Sequence, residues 1–105
     1  MVNSVERSFH ALGHSARRSI VERLARGPAT VGEAAAGLEI SKPAVTKHLK
    51  VLEAAGIVSR RVEGRTHVLQ LSAAPLGEAE DWIEHHRRLW EAKFDEVDRY
   101  LKEEG

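Results

Sequence analysis

The sequence has 105 residues, with 16 basic and 16 acidic side chains and no cysteine. The length fits a single domain over residues 1–105, and the lack of cysteine excludes a disulfide framework and thiolate metal or redox chemistry. Because the chain has neither a long apolar run nor a signal-peptide hydrophobic segment, we predict a soluble, cytoplasmic protein with no membrane partner.

The charges are unevenly distributed along the chain. Residues 1–40 carry five basic and four acidic side chains, for a net charge of +1. Residues 41–70 carry six basic and two acidic ones (+4), whereas residues 71–105 carry five basic and ten acidic ones (−5). An approaching polyanion responds to the local field, so the basic middle segment is suited to nucleic acid.

The first two predicted elements are helices. Apolar residues at spacings of four and three predict a helix over residues 3–12, which Gly13 ends. Ser15 is suited to cap a second helix, because its hydroxyl can accept a backbone N–H of the first turn. Gly27 and Pro28 end that helix, since neither residue continues a helix well.

A helix-turn-helix is predicted over residues 30–56. Thr30 and Glu33 fit the capping-box pattern and open a short helix of small residues over 31–38. After a turn, Ser41 is a favourable N-cap for the second helix of the pair.

This second helix has two chemically different faces. At 100° per residue, Val45, Leu49 and Leu52 fall on one apolar stripe. The helix start and the opposite, solvated face carry hydroxyl, proline and lysine residues: Ser41, Lys42, Pro43, Thr46, Lys47 and Lys50. A helix of this kind fits a DNA major groove, so we predict that this face binds double-stranded DNA. The early positions are expected near base edges, and Lys50 is expected near phosphate.

Three further side chains on or near this helix pair each have two possible roles. His48 lies beside the apolar stripe and is expected to be a core-edge histidine bonded to backbone, with a phosphate contact as the alternative. Arg17 and Arg18, near the start of the second helix, could contact phosphate or form ion pairs within the chain.

Residues 57–71 predict a β-hairpin that forms a wing. The runs 57–62 and 66–71 are β-prone and are separated by Glu63-Gly64-Arg65, which places a glycine in the turn. Basic side chains near the tip are predicted to contact the DNA backbone or minor groove beside the helix site: Arg60, Arg61 and Arg65.

Residues 76–103 predict one long helix of about 42 Å, which is longer than the rest of the small domain can cover. Its apolar stripe is predicted to pack against a second copy of the chain. On this helix the predicted dimer interface comprises Trp82, Ile83, His86, Trp90, Phe94, Val97 and Leu101. The alternative is that the aromatic part of the stripe lines a ligand pocket.

The segment from Ala11 to Leu71 resembles the ArsR-type winged-helix transcriptional repressors. The resemblance is carried by ALGHSARRSIVERL, by ISKPAVTKHLKVLEAAGIV and by the EGR turn of the wing. It implies a mainly α fold with a β-hairpin wing, in the order α-α-α-α-β-β-α. It also implies a homodimer of the first and last helices, which adds Val5 and Phe9 of the first helix to the predicted dimer interface. Such a dimer places two recognition helices in successive major grooves and represses transcription by blocking polymerase.

The chain departs from the metal-sensing branches of that family. Those branches use cysteines near the third helix, where this chain has residues 32–36, GEAAA. Others use paired ligands on the last helix, but here Glu84 and His86 are followed by Val97 and Tyr100 at the corresponding offsets. The resemblance is therefore to the non-metal-sensing branch, with no metal and no cofactor expected.

Two other functions remain open at this point, a metal-responsive sensor using His and carboxylate ligands and a protein-interaction module with secondary DNA binding. No catalytic triad order, phosphate-binding glycine loop or inward-facing carboxylate pair is present, so the chain is not predicted to be an enzyme. The residues identify no small-molecule effector.

Overall fold

The structure is a computed structural model, and it describes residues 3–104. Within this range the elements follow the order α1 (Ser4–Leu12), α2 (Ser15–Leu24), β1 (Ala29–Thr30), α3 (Val31–Ala34), α4 (Lys42–Ala54), β2 (Val58–Glu63), β3 (Thr66–Leu71) and α5 (Ala73–Glu104). The predicted mainly α architecture with a β-hairpin is confirmed.

The hydrophobic core lies where α1, α2 and α4 pack against the sheet. Its fully buried large side chains come from α2, α4, the start of the wing and β3: Ile20, Leu49, Leu52, Ile57 and Leu69. Burial of each such side chain contributes roughly 1.5–3 kcal/mol to folding. The core therefore fixes one face of α4 and leaves the other face on the surface.

The second helix begins differently from the prediction. Ser15 is the first residue of α2 and not its cap, so that expectation was wrong. His14 is the N-cap, because its extended backbone lets the ring Nδ1 accept the Ala16 N–H at 3.1 Å. A neutral imidazole nitrogen satisfies a first-turn N–H in the same way as a hydroxyl or carboxylate oxygen.

The other two predicted caps are confirmed. Thr30 Oγ1 accepts the Glu33 N–H at 3.2 Å, and Glu33 Oε1 accepts the Thr30 N–H at 3.0 Å. The second of these bonds stabilises the ionised carboxylate, so the backbone N–H of Thr30 lowers the pKa of Glu33. Ser41 Oγ accepts the Ala44 N–H at 3.3 Å at the start of α4.

The third helix is shorter than predicted. It covers Val31–Ala34, and the chain then turns through residues 35–37, with Gly37 at φ +85°. Leu38 packs against the core after that turn. A four-residue helix forms few hydrogen bonds of its own, so it depends mainly on packing against its neighbours.

The sheet contains a strand that the sequence did not predict. β1 pairs with β3 in antiparallel fashion, with Ala29 opposite Leu69 and Thr30 opposite Val68, and β3 also pairs with β2. The strand order is therefore β1-β3-β2. Two residues are too few to show an alternating pattern in the sequence.

The last helix is longer than its predicted range of 76–103. It begins at Ala73, so Pro75 occupies its first turn, where a missing N–H leaves no hydrogen bond unmade. Its 32 residues explain why the molecule measures 68 × 28 × 26 Å. Along the described chain, no helix combines the length and apolar character that crossing a lipid bilayer demands.

Candidate nucleic-acid interface

The two faces of α4 have the burial that the sequence predicts. Val45, Leu49 and Leu52 are 8%, 2% and 0% exposed, respectively. Residues at the helix start and on the opposite face are exposed: Ser41, Lys42, Pro43, Thr46, Lys47 and Lys50. The core thus holds α4 by its apolar stripe and presents its lysines to solvent.

The start of α4 is well ordered for a contact with an anion. Pro43 lies in the first turn behind the Ser41 cap. Thr46 Oγ1 donates to the Lys42 carbonyl oxygen at 3.1 Å, so this hydroxyl is left as an acceptor for a donor such as an amino group and is not suited to bind an anion. The helix dipole adds partial positive charge beside Lys42.

The lysines of α4 keep their charge available. None of Lys42, Lys47 and Lys50 forms an ion pair with any other residue of the segment 3–104. A cationic ridge without carboxylate partners attracts a polyanion more strongly than a surface on which the charges are paired.

Arg60 connects the wing to α4. The sequence predicted a position near the wing tip for this residue, and that prediction was wrong. It is opposite Leu69 in the middle of the hairpin. Its Nη2 donates to Glu53 Oε1 at 2.6 Å, and its Nη1 lies 3.1 Å from His67 Nδ1. Sequence reasoning missed the Glu53 partner, because a helix-to-strand pair of this kind has no characteristic spacing.

The wing turn itself contains two residues, Gly64 and Arg65, because Glu63 still pairs with Thr66. Gly64 has φ +64°, a conformation in which glycine avoids the steric cost of a side chain. Arg61 forms a surface ion pair with Glu63 at 2.8 Å. Arg65 at the tip has no ion pair within the described residues, and it borders a groove of about 430 Å³ beside the start of α3.

Arg17 forms no ion pair within the described residues, and its hydrogen bonds go to backbone carbonyls and to a histidine instead. Its Nε donates to the Ala11 carbonyl oxygen at 2.6 Å, its Nη2 to that of His10 at 3.0 Å, and its Nη1 lies 3.2 Å from His48 Nδ1. Arg18 Nη1 likewise donates to the Leu12 carbonyl oxygen at 2.8 Å. Both arginines therefore satisfy carbonyls at the end of α1, and within the described chain neither pairs with a carboxylate.

His48 is half-buried at the edge of the core, as predicted, but its partner is a side chain rather than backbone. Its ring centroid lies 4.4 Å from that of His14. Burial lowers the pKa of His48, and the nearby His14 and Arg17 lower it further. A neutral His48 is thus favoured, with Nδ1 free to accept from Arg17.

The residues of the predicted dimer interface form one surface along α1 and α5. Phe9 contacts Trp82 edge-on at 5.4 Å between ring centroids, and His86 stacks on Trp82 at 3.8 Å. Val5 and His86 are half-buried. The remaining members are exposed, from 37% for Phe9 to 71% for Phe94: Phe9, Trp82, Ile83, Trp90, Phe94, Val97 and Leu101. Large apolar side chains left exposed at this density indicate a contact surface.

The histidines of α5 do not converge on a common point. The rings of His85 and His86 are 5.2 Å apart at 84°, and His86 Nδ1 lies 2.9 Å from the Trp82 carbonyl oxygen. In the range 3–104, no three His, Asp or Glu side chains are grouped so that they could hold a metal ion.

Comparison with known proteins gives the family. Residues 12–61 match a helix-turn-helix domain. The HTH-type transcriptional regulator Rv2034 of Mycobacterium tuberculosis is 49% identical over 73 residues, which cover 70% of this chain and 68% of that protein. The transcriptional repressor SdpR of Bacillus subtilis is 31% identical over 75 residues, which cover 71% of this chain and 83% of SdpR.

A solved structure supports the same assignment over more of the chain. The crystal structure of the ArsR family transcriptional regulator RHA00566 superposes with a TM-score of 0.80 at 32% identity, and covers 85% of this chain and 98% of that one. The similar proteins are regulators of transcription and not enzymes. With its lysine-bearing helix and its hairpin wing, the chain belongs to the ArsR family of DNA-binding, winged helix-turn-helix transcriptional regulators.

Proposed function

We propose that the protein is a homodimeric repressor that works in the cytoplasm and binds double-stranded operator DNA so that polymerase is blocked. The observation that carries this proposal is the outward face of α4, whose lysines are exposed and have no carboxylate partner in the described chain. The name of SdpR, a transcriptional repressor, supports repression over activation.

The roles on α4 follow from distance to the helix start. Lys42, Thr46 and Lys47 are proposed to contact base edges, because the first turns of a recognition helix enter the major groove most deeply. Lys50 is proposed to contact phosphate, and Ser41 and Pro43 to approach the backbone at the helix start. His48, already bonded to Arg17, is proposed to contact phosphate only through its Nε2 edge.

The wing is proposed to contact DNA beside the major-groove site. Arg65 at the tip and Arg61, whose ion pair is fully at the surface, can exchange carboxylate or water for phosphate at little cost. Arg60 adds positive charge to this side, but its bonds to Glu53 and His67 suit it to hold the wing in place.

Dimerisation through α1 and α5 supports occlusion, because a twofold pair presents two recognition helices to one duplex. Half-sites about one or two helical turns apart, roughly 34 Å per turn, are expected for such a pair. The exposed apolar stripe supplies the surface that the second copy would cover. The whole chain is proposed to act as one domain in this assembly.

The experiment is selection of duplexes from a random-sequence library by the purified protein, followed by gel-shift titration and sedimentation. The expected result is a palindromic sequence bound by a dimer. A protein that sediments as a monomer and enriches no sequence would contradict the proposal and favour an interaction module. Stoichiometric zinc after purification, with release of DNA when zinc is added, would instead favour a metal sensor.

A further inference from the structure

The Arg17 guanidinium joins three helices. From α2 it donates to the His10 and Ala11 carbonyl oxygens at the end of α1, and its third contact is His48 Nδ1 on α4 at 3.2 Å. Arginine has only donors, so His48 must supply a lone pair at Nδ1 and carry its proton on Nε2. The end of α1 and the recognition helix are thus connected through one planar group.

We propose that Arg17 is a positioning residue for DNA binding, which fixes the orientation of the recognition helix relative to α1 through its hydrogen bond to His48. This inference rests on the proposed function, because it concerns how α4 is held when it meets DNA. The fixed fork of a guanidinium can hold three acceptors in a defined geometry, whereas a lysine ammonium cannot match that planar arrangement.

The location of His48 makes this bond consequential. It directly follows Thr46 and Lys47, the residues proposed to contact bases, and lies at the border between the buried stripe and the outward face. Val5 and Phe9 of the proposed dimer interface lie on α1, the helix whose end Arg17 holds. A rotation of α4 about its axis would therefore misalign the lysines with the half-site spacing set by the dimer.

The hydrogen bond between Arg17 and His48 is expected to break in acid. Protonation of His48 Nδ1 removes the acceptor and places a second cation against Arg17, and the His14 ring lies 4.4 Å away. On the α1 side, the titratable side chains of Glu6, Arg7 and His10 line a separate groove against Val51, Ala54 and Ala55 of α4. On the β2 side, Glu53 of α4 is paired with Arg60. The groups that face His48 are therefore His14 and Arg17.

The first test needs no DNA. Side-chain ¹⁵N NMR of wild-type protein is expected to show His48 as the Nε2–H tautomer. Arg17→Ala is expected to raise the pKa of His48, because it removes both a donor to the neutral ring and a neighbouring cation. Arg18→Ala is the matched control, since it removes the same charge and a similar carbonyl bond but no contact with His48. Equal titration curves of His48 in the two variants would contradict the proposed hydrogen bond between Arg17 and His48.

The second test is a double-mutant cycle on the duplex selected by the wild-type protein. Arg17→Ala is expected to weaken binding about tenfold in the wild-type background but by less than about threefold in the His48→Ala background, because the bond that it removes is already absent there. In the His48→Asn background, whose amide oxygen replaces Nδ1 as acceptor, Arg17→Ala is again expected to weaken binding clearly. Arg18→Ala is expected to change affinity by less than about threefold.

The same variants on a random duplex distinguish positioning from direct contact. A phosphate contact by Arg17 would weaken both duplexes equally and reduce the salt slope by about one per protomer. That outcome, or independent effects of Arg17 and His48, would overturn the positioning role alone. A library that yields no preferred sequence would contradict the proposed function itself. If Arg17→Ala does not fold, binding by His48→Leu and by His48→Asn can be compared instead. In both variants Arg17 keeps its bonds to the carbonyl oxygens of α1, and only His48→Asn keeps an acceptor for its third bond.

Discussion

At the residue scale, position along α4 separates lysines that are otherwise alike. Lys47 and Lys50 are both exposed and both lack a carboxylate partner within residues 3–104, but Lys47 lies one turn closer to the helix start. Base contacts carry sequence information, whereas phosphate contacts carry affinity that depends on salt. Removal of the two lysines should therefore have different effects. Loss of Lys47 should reduce the preference for one sequence, whereas loss of Lys50 should reduce the affinity for every duplex.

We expect Lys47→Ala to cost about 1–3 kcal/mol of binding free energy on the selected duplex and much less on a random one. Lys50→Ala should weaken both duplexes alike and lower the salt slope by about one per protomer. Fluorescence anisotropy over a salt series measures both effects. Lys102→Ala, at the far end of α5, is the control for the loss of one positive charge. A uniform loss for Lys47→Ala would assign it to phosphate.

His48 makes folding stability depend on pH. Since its pKa is lowered in the folded protein, the unfolded chain binds the proton more readily. Its contribution to stability is therefore complete above the unfolded value of about 6.5 and is lost as the pH falls below it. Urea unfolding at pH 7.5 and 5.5 should show a smaller free energy of unfolding at pH 5.5. The difference between the two pH values should shrink in His48→Asn, and an unchanged difference would argue against His48.

The His14 cap at the start of α2 predicts that a carboxylate would be a better cap at this position. His14 Nδ1 accepts the Ala16 N–H at 3.1 Å, and an aspartate would accept the same bond while adding a negative charge at the helix N-terminus. We expect His14→Asp to raise the free energy of unfolding by about 0.5–1 kcal/mol at pH 7.5, as measured by urea unfolding. Ser15→Asp, one residue into the helix, controls for the added charge. An equal gain in Ser15→Asp would show that the dipole, and not the cap, dominates.

At the element scale, the sequence predicted the helix and the wing that matter most, because several local signals agreed there. Ser41, the apolar stripe of α4 and the glycine turn of the wing each point to the same structure. The prediction failed where tertiary contacts decide. Ser15 is the commoner cap type, yet His14 has the extended backbone that a cap requires. The contact between Arg17 of α2 and His48 of α4 joins residues 31 positions apart, which no local pattern indicates.

The Arg60–Glu53 pair connects the two elements that we propose to contact DNA, so its loss should alter selectivity more than stability. Both side chains are about one-third exposed, so the pair contributes at most about 1 kcal/mol to folding. In Glu53→Ala, the lost negative charge should strengthen binding to any duplex, while the released wing weakens the specific complex. We expect the ratio of affinities for the selected and random duplexes to fall about fivefold.

Glu63→Ala is the matched control for this prediction. It also removes one carboxylate paired with an arginine of the wing, but it leaves the link between the wing and α4 intact. Its affinities for the two duplexes should rise together and keep their ratio. A ratio that is also unchanged in Glu53→Ala would show that the wing holds its position without Arg60.

At the scale of the whole molecule, basic and acidic charge lie on different elements. The net charge of +4 over residues 41–70 lies on α4 and the wing, whereas the −5 of residues 71–105 lies on α5. An acidic helix repels DNA, so α5 is suited to contact protein. From Leu89 to Glu103 every residue of α5 is exposed, including apolar residues at spacings of four, three and four: Trp90, Phe94, Val97 and Leu101. This is the spacing of a helix that packs against another helix.

A carboxylate placed in that stripe should therefore separate the dimer. In a twofold interface Phe94→Glu acts twice, and each buried, unpaired carboxylate costs several kcal/mol. Analytical ultracentrifugation should show a monomer, and gel shifts should show loss of binding to the palindromic duplex while weak binding to a half-site remains. Ala92→Glu adds the same charge on the opposite face of α5 and should remain dimeric. A Phe94→Glu protein that stays dimeric and still binds the palindrome would place the interface elsewhere, and the two recognition helices would then need another element to set their separation.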